Sequence, residues 1–506
     1  MLSSAFLLIP GKRWEKGCTK YQMEQDQKWS LMNHFRRIAK NSAFQAVAYG
    51  IQSLTAFFIP VYLARLASAE LLGQYATTIA LTGLFLSIAK FGLPSLLIRE
   101  IARSRENPEK VDNLVNAALG LTIILSATAI GLMLVVGILL NYPIILFRAL
   151  MLAGLALGIE AMATIVESSF RGREEMEWSA AIITVMDGSF LVLALLTVPI
   201  RAAVDWLMVA YLASRIISLA VGIWIYRARF GKLHPTLDKR LWSSLFKASL
   251  PFAITNGLST VYVRIDVVFL SYLATSAIVG LYEAANNLTM RLNIVARTVN
   301  IALYPFLASE FAKDKQSLQR YTGRTIRLLV ILGTLIATVL WTFGDSIVVL
   351  VYGSKFVDAI LAVKWLALII PLRFIDTSLE VALSASNREG KRARAVLVAA
   401  LTNLLLNFIL IPTYQMMGAV YATVLTEVVM CAMYVWFLRA EVHEMLAWQG
   451  FIGPGLGAAT ILAASLLLNT VNIWLLGGMS VLLYSLIVVW MDRSSLELFR
   501  QIVGNR

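Results

Sequence analysis

Cysteine, histidine and charged residues are all scarce in this chain of 506 residues. The two cysteines, Cys18 and Cys431, cannot form a disulfide framework, and no Cys/His cluster has the spacing of a metal site. Charged residues make up only 15% of the chain and hydrophobic residues 59%, whereas soluble proteins carry about a quarter charged residues. The composition excludes a disulfide-rich secreted domain and predicts a membrane protein.

Catalytic and nucleotide-binding signatures are also missing. The chain has no P-loop, so ATP is not expected to drive its activity directly. It has no His, Glu and Cys constellation of the metalloprotease type, and the predicted external loops are short. The net charge of +14 lies mainly in short loops between apolar segments, which is the positive-inside pattern of membrane proteins. We therefore expect neither an enzyme nor a nucleic-acid-binding protein, with no cofactor and no metal.

Apolar runs long enough to cross a bilayer are the dominant feature of the sequence. The loops on one side hold only Arg201 and Lys355 as basic residues, so both termini are predicted to be cytoplasmic. The chain is thus predicted to be an all-α polytopic membrane protein with about 14 transmembrane helices. The predicted spans are 43–66, 75–98, 113–139, 144–169, 178–200, 206–226, 249–272, 276–305, 325–351, 357–384, 394–413, 418–438, 450–469 and 472–491.

An internal repeat organises these spans. Residues 40–75 align without gaps with residues 247–282, and 10 of the 36 pairs are identical. The offset joins span one to span seven, so the fold is predicted to contain two parallel six-helix repeats plus two C-terminal helices. The predicted divisions are an N-terminal extension 1–31 that is disordered or precedes the true start, a lobe 32–226, a cytoplasmic interfacial linker 227–247 with an interfacial helix from Thr236 to Lys247, a lobe 248–439, and residues 440–506 with two additional helices and a cytoplasmic tail.

Charged residues inside the spans break the symmetry of the repeat. Where the second copy has Arg264 and Asp266, the first has Phe57 and Ile59. A charge within the bilayer costs at least a few kcal/mol unless it is paired or hydrated. We therefore expect Arg264 and Asp266 to line a hydrated space, with Phe57 and Ile59 as its apolar counterpart in the other lobe.

Polar residues recur on one face of span eight, and a second polar stripe follows span seven. One interpretation is a hydrated cavity, and the other is an ion-pair network such as Arg264 with Asp266 or Glu283. Arg65, Lys90, Arg148 and Arg373 are attributed to snorkelling. The candidate substrate-binding residues are Arg264, Arg291, Arg297, Lys364, Arg215, Asn286, Asn293 and Tyr262. The candidates for ion coupling are Asp266, Glu283 and Asp187.

The residue types indicate the class of ligand. Arginine binds phosphates and carboxylates through forked, charge-assisted hydrogen bonds, and asparagine and tyrosine suit the hydroxyls and faces of sugars. An organic cation would favour carboxylates and aromatics without arginine. An anionic, sugar-bearing ligand is the better match.

Three segments carry a resemblance to a known family. They are Arg36–Ser42 leading into the first span and Leu72–Tyr75, then Arg264-Ile265-Asp266 followed by 279–285, and finally Leu303-Tyr304-Pro305 before a basic loop. In these segments the chain resembles the polysaccharide biosynthesis proteins, which are O-antigen and capsule-type flippases of the multidrug/oligosaccharidyl-lipid/polysaccharide exporter superfamily. The resemblance implies two six-helix bundles that form an alternating-access carrier.

The same resemblance implies a substrate, partners and a location. The substrate would be an undecaprenyl-pyrophosphate-linked oligosaccharide, moved to the outer leaflet of the bacterial inner membrane at the expense of a proton or sodium gradient. A polysaccharide polymerase and glycosyltransferases would be partners, beside membrane lipids. The alternatives are a flippase for a peptidoglycan precursor, a cation-coupled multidrug exporter of the same superfamily, and a scaffold that recruits glycosyltransferases through its basic loops.

Overall fold

The computed structural model describes residues 40–300, 303, 307, 315–441, 445–446, 449–467, 478 and 481–486. Within these ranges the chain forms helices, turns and loops and no β-strand. The N-terminal extension 1–31, the Tyr304-Pro305 motif and most of the last predicted span, 472–491, lie outside the described residues.

In the part of the chain that the structure describes, ten helical segments are long and apolar enough to cross a membrane, with α2 and α3 counted as one. The protein is a multi-pass membrane protein. Its helices are α1 Lys40–Leu66, α2 Ala69–Lys90, α3 Leu93–Arg103, α4 Pro108–Leu139, α5 Ile144–Gly172, α6 Met176–Ile200, α7 Val204–Phe230, α8 Lys239–Leu273, α9 Ser276–Met290, α10 294–300, α11 Lys315–Tyr352, α12 Ile360–Ala367, α13 Ile370–Ala385, α14 Glu389–Tyr414, α15 Met416–Phe437 and α16 Gln449–Leu467.

Two predicted spans are helical but interrupted. The span predicted at 276–305 contains α9, a 3₁₀ turn over Arg291–Asn293, and α10. The span predicted at 357–384 is divided between α12 and α13, and Pro371 lies in the first turn of α13, where its missing N–H costs nothing. The total of fourteen spans stays a prediction.

The start of the second half of the chain (α8–α15) repeats the start of the first half (α1–α7) in detail. Helices α1 and α8 end at equivalent positions of the repeat, and α2 and α9 begin at equivalent positions. Ser68 accepts a hydrogen bond from the N–H of Leu71 (3.2 Å), and its equivalent Thr275 accepts one from the N–H of Ile278 (3.5 Å). These side chains are the N-caps of α2 and α9. The six-helix repeat as a whole remains a prediction.

Helices α2 and α9 cross at two glycines that are also repeat equivalents. A Cβ built on Gly73 would lie 1.7 Å from the carbonyl oxygen of Ser276, and one on Gly280 would lie 1.9 Å from that of Ala69. The contact is therefore reciprocal and brings backbone against backbone, which only residues without a side chain allow. We call these four residues the glycine crossing.

Helix α8 differs from the prediction. The interfacial helix expected from Thr236 to Lys247 is not a separate element, because α8 runs unbroken from Lys239 to Leu273. Asp238 caps its first turn by accepting hydrogen bonds from the N–H groups of Arg240 (2.8 Å) and Leu241 (3.3 Å). The preceding linker lies on α4, where the N–H of Thr236 donates to the carbonyl of Asn116 (3.2 Å).

The largest buried apolar cluster extends through both halves. It includes Leu63 and Leu72 from the first half and Tyr282, Phe356 and Phe374 from the second, all at most 1% exposed. The two halves are therefore in contact along α1, α2, α8 and α9, which places the polar residues of α8 and α9 next to this contact.

The glycine crossing predicts opposite effects for one substitution at two sites of α2. Gly73→Ala forces the α2 and α9 backbones apart and should lower stability by about 1–3 kcal/mol, as overpacking does. Gly83→Ala has no atom within 4 Å of the new Cβ and should raise stability by about 0.5–1 kcal/mol through helix propensity. Thermal unfolding of the purified variants measures both, and equal stability of the two variants would contradict the crossing.

Candidate functional site

A cavity of about 150 Å³ lies among the helices of the second half. We call it the central pocket. It combines basic, acidic and amide side chains at a depth where the surrounding helices are apolar. Its lining residues are Tyr262, Val263, Arg264 and Asp266 of α8, Glu283, Asn286, Asn287 and Met290 of α9, Arg291 of the 3₁₀ turn, Arg373 of α13, Asn403 of α14 and Thr423 of α15.

Arg264 and Asp266 both reach this pocket but do not pair with each other. Two residues apart on a helix, their side chains point in nearly opposite directions. Asp266 is buried and accepts hydrogen bonds from the hydroxyl of Tyr282 and from the N–H of Val267 (2.8 Å). Arg264 is half-buried, and no described acidic residue lies within ion-pair distance of it. Its charge therefore faces the pocket.

Helix α9 and the turn after it contribute basic, acidic and amide side chains to the pocket. Arg291 donates through Nε to Oδ1 of Asn287 (3.0 Å), one turn earlier. Glu283 is 7% exposed, and its Oε2 has no hydrogen-bond partner among the described residues. A buried carboxylate without a partner is costly, so Glu283 marks a place where a further group can bind.

A second group of buried charges borders the pocket through Tyr262 and Arg373. Tyr262 donates a hydrogen bond to Oε2 of Glu427 (2.9 Å), and Arg373 lies 3.1 Å from the same oxygen. Asp376, one turn after Arg373, is buried beside Glu427. The attribution of Arg373 to snorkelling does not match its position, because its guanidinium turns inward to this carboxylate instead of reaching the interface.

The structure places Arg215 and Asp187 away from the pocket, in the first half. Arg215 lies 2.9 Å from Glu160 and 3.6 Å from Asp187, and Lys90 lies 3.3 Å from Glu160. Gln52 also donates to Asp187 (3.0 Å). We call Lys90, Glu160, Asp187 and Arg215 the first-half ion cluster. Its charges neutralise one another, which leaves Arg215 and Asp187 poorly suited to bind a ligand.

The remaining predicted residues also lie outside the pocket lining. Lys364 forms an ion pair with Asp345 (2.7 Å) near the end of α11. Arg297 is exposed on α10, and Asn293 is half-buried in the 3₁₀ turn with its Oδ1 unpartnered among the described residues. The helical spacing that grouped Asn293 and Arg297 with Arg291 assumed a continuous helix, and the turn at Arg291–Asn293 changes that register.

Several pocket residues were not singled out from the sequence. Asn403 donates to the hydroxyl of Thr426 (3.4 Å) and accepts from Asn407 (2.9 Å), and Thr423 faces the same space from α15. Two asparagines one turn apart in an otherwise apolar span are a visible signal, because an amide in hydrocarbon needs a partner. In the described ranges, no cluster of His, Cys, Asp or Glu has the geometry of a metal site.

Charges without a paired opposite charge line a pocket in this multi-pass helical bundle. Such charges are typical of membrane transporters, and comparison with known proteins agrees. The family model described as "Polysaccharide biosynthesis protein" matches residues 38–311, and the MatE model matches residues 251–413. The chain belongs to the polysaccharide biosynthesis protein family and is a transporter of the multidrug/oligosaccharidyl-lipid/polysaccharide exporter superfamily. The resemblance inferred from the sequence is confirmed.

Curated relatives are named as glycan transporters. The chain is 25% identical over 251 residues to the "Probable low-salt glycan biosynthesis flippase Agl15" of Haloferax volcanii, a match that covers 48% of this chain and 52% of that protein. It is 26% identical over 401 residues to the "Putative O-antigen transporter" of Shigella dysenteriae, covering 77% of this chain and 97% of that protein. The match thus spans about half of the archaeal flippase and nearly all of the bacterial transporter.

Solved structures share the fold at low identity. The inward closed conformation of the lipid II flippase MurJ matches with a TM-score of 0.69 and 13% identity, covering 90% of this chain and 99% of that one. An inward-facing multidrug transporter of the MATE family matches with a TM-score of 0.66 and 16% identity, covering 78% of this chain and 95% of that one.

The first-half ion cluster predicts a structural role for Glu160. Glu160→Gln leaves Arg215 and Lys90 short of negative charge in a buried site and should destabilise the protein by about 3–5 kcal/mol. The matched control is Glu100→Gln, whose ion pairs with Arg99 and Arg103 are partly exposed and whose loss should cost at most about 1 kcal/mol. Thermal unfolding in detergent measures both. A Glu160→Gln protein as stable as the control would refute the structural role.

Proposed function

We propose that the protein is a flippase that moves an undecaprenyl-pyrophosphate-linked oligosaccharide from the cytoplasmic to the outer leaflet for surface polysaccharide synthesis. The observation that carries the proposal is the central pocket, in which Arg264 and Arg291 lie beside Asn286 and Asn287. Guanidinium groups bind phosphate oxygens as charged forks, and amides bind sugar hydroxyls. The two chemistries that the substrate requires are thus adjacent.

The size of the pocket supports an alternating-access mechanism. A space of about 150 Å³ is the size of a cavity that binds one small molecule such as benzene. It suits a phosphate-sized group and is much smaller than a whole oligosaccharide. The substrate would therefore enter and leave when the two halves rock apart, with the pyrophosphate held at the arginines and the lipid tail remaining in the bilayer.

A peptidoglycan precursor lipid is the second candidate substrate, because its pyrophosphate would engage the same arginines and the fold is shared with a lipid II flippase. The relatives named for glycan and O-antigen transport favour the oligosaccharide. An organic cation is disfavoured, because Arg264 and Arg291 face the space that it would occupy.

The proposed setting combines the topology predicted by the sequence with the expectations of the family resemblance. Both termini would lie in the cytoplasm and the chain would reside in the bacterial inner membrane. A polysaccharide polymerase and glycosyltransferases would act on the same substrate, after and before this step, and are proposed partners.

Among the proposed ion-coupling residues, the geometry favours Glu283. Asp187 is engaged by Arg215 and Gln52, and Asp266 by Tyr282. The Oε2 atom of Glu283 has no partner in the described part of the chain and borders the pocket. A proton or sodium ion bound there would cancel one negative charge close to Arg264 and Arg291, and would thereby change the affinity of the pocket for an anion.

Removal of either pocket arginine should abolish export. Arg264→Ala and Arg291→Ala each remove charge-assisted hydrogen bonds worth about 1.5–3 kcal/mol, which corresponds to roughly 10- to 150-fold weaker binding. Surface polysaccharide should be lost in a complementation assay while the protein stays in the membrane.

Arg297→Ala is the matched control for these variants, because this arginine is exposed and outside the pocket. It should support normal display. Normal glycan display by both Arg264→Ala and Arg291→Ala would rule out the pocket as the substrate site. A strain that lacks this protein can also be complemented with other transporters. If the gene for a known lipid II flippase restores its phenotype and the gene for a glycan flippase does not, the precursor lipid is favoured as substrate.

If Glu283 is the coupling residue, the Glu283→Gln protein should still bind the substrate but should no longer respond to an ion gradient. The neutral amide keeps the shape of the side chain but can neither take up a proton nor supply a negative charge to a sodium ion, so an imposed proton or sodium gradient should no longer accelerate flipping in proteoliposomes. Asp345→Asn, which changes an exposed acid paired with Lys364, serves as the control. A gradient response in Glu283→Gln equal to that of the parent protein would exclude Glu283 as the coupling residue.

A further inference from the structure

Pro60 lies in the interior of α1 and is buried. Because proline has no backbone N–H, it cannot donate to the carbonyl four residues earlier, which is that of Ala56. In the apolar part of a membrane a carbonyl without a donor is costly, so neighbouring helices supply one. Pro60 therefore creates an acceptor site on the side of α1.

The donor to this site comes from the second half of the chain and from the central pocket itself. Nη2 of Arg291 donates to the carbonyl of Ala56 (3.3 Å). Asn287 donates through Nδ2 to the carbonyl of Phe57 (3.3 Å) and accepts from Nε of Arg291 through Oδ1. We call these contacts the α1–α9 contact. It joins the two halves through a residue of the proposed substrate site.

A similar hydrogen bond to a carbonyl freed by proline occurs inside the first half, where it does not connect the two halves. Pro199 lies within α6 and frees the carbonyl of Leu195. The hydroxyl of Tyr62 on α1 donates to that carbonyl (2.9 Å). Both prolines thus have a side-chain donor at the freed carbonyl, but only the one at Pro60 bridges the two halves.

We propose that the α1–α9 contact holds the outer side of the transporter closed, and that an anion bound in the central pocket releases it by drawing Arg291 away from the carbonyl freed by Pro60. The proposal rests on the proposed function, since the releasing anion is the substrate pyrophosphate. It assigns to Pro60, which touches no substrate, a positioning role in the response of the carrier.

The chemistry of the guanidinium explains why the two contacts compete. A forked contact with phosphate uses two N–H groups on one edge of the guanidinium. On the Nε–Nη2 edge of Arg291, both nitrogens already donate to protein oxygens, Oδ1 of Asn287 and the carbonyl of Ala56. An anion that takes this edge displaces both. Since the carbonyl belongs to the first half, its displacement removes a hydrogen bond between the halves.

The contact lies at a depth where it can act on the outer opening. Ala56 is ten residues before the end of α1, or about 15 Å along the helix. Other contacts between the halves lie at or near that end. They are the glycine crossing and the hydrogen bonds from Arg65 to the carbonyl of Val351 (2.8 Å) and from Lys355 to the carbonyl of Ala67 (3.2 Å). These contacts have no ligand-binding partner, so the α1–α9 contact is the one that a substrate can reach.

The test compares Pro60→Ala with Pro199→Ala. Alanine at position 60 restores a backbone N–H, which competes with Arg291 for the carbonyl of Ala56 and leaves every pocket residue in place. The reporter is Val263→Cys, an apolar pocket residue, in a background with Cys18→Ser and Cys431→Ser. Its labelling by a membrane-impermeant maleimide is measured in right-side-out vesicles, with and without undecaprenyl pyrophosphate.

Pro60→Ala should label on the order of fivefold faster than the parent, as expected for the loss of about one hydrogen bond, and Pro199→Ala should label at the parent rate. Undecaprenyl pyrophosphate should accelerate labelling of the parent and of Pro199→Ala but add little to Pro60→Ala. Parent-like labelling of Pro60→Ala overturns the role of the contact. Faster labelling of Pro60→Ala with no lipid response in the parent supports the contact but overturns its release by a pyrophosphate lipid, whereas failure of the proposed function would appear as normal glycan display by both arginine variants.

Discussion

The free-energy cost of placing a charge in hydrocarbon determines how the ionisable groups of this transporter are arranged. Each such group must meet an opposite charge, a hydrogen-bond partner or water. The first half satisfies the rule internally, since Arg215 and Lys90 are matched by Glu160 and Asp187. The second half leaves Arg264 and one oxygen of Glu283 facing a cavity. Two halves that begin with similar sequences therefore satisfy their buried charges in different ways.

A second constraint acts on the backbone. A membrane helix satisfies its own N–H and carbonyl groups, and each proline in its interior breaks that closure at one carbonyl. At Pro199 and Pro60 the missing donor is replaced by a side chain from an adjacent helix. Such replacements tie specific helix pairs together at a defined depth. They also make the strength of a helix–helix contact depend on a side chain, which can have other partners.

The sequence predicted the helices and part of the pocket for clear reasons. Polar residues in apolar spans are costly and therefore informative, so Arg264, Asp266, Glu283, Asn286 and Arg291 could be selected from α8 and α9, and the structure brings them to one pocket. The surroundings of Arg215 and Arg373 were harder to predict, because their acidic partners lie 55 and 54 residues away along the chain. No local pattern shows whether a buried arginine has a distant carboxylate. Arg297 was selected on a helical register that the turn at Arg291–Asn293 interrupts, and Lys364 has an ion-pair partner, Asp345, on another helix.

The glycine crossing has a consequence for the entropy of conformational change. Side chains packed between two helices adopt particular rotamers, so a change in crossing angle requires them to repack. Between Gly73 and Gly280 there are no rotamers to reset, because backbone lies directly on backbone. A change in crossing angle at this point would therefore require no glycine side chain to repack. A joint of this kind has little side-chain ordering entropy to lose or gain when the angle between α2 and α9 changes.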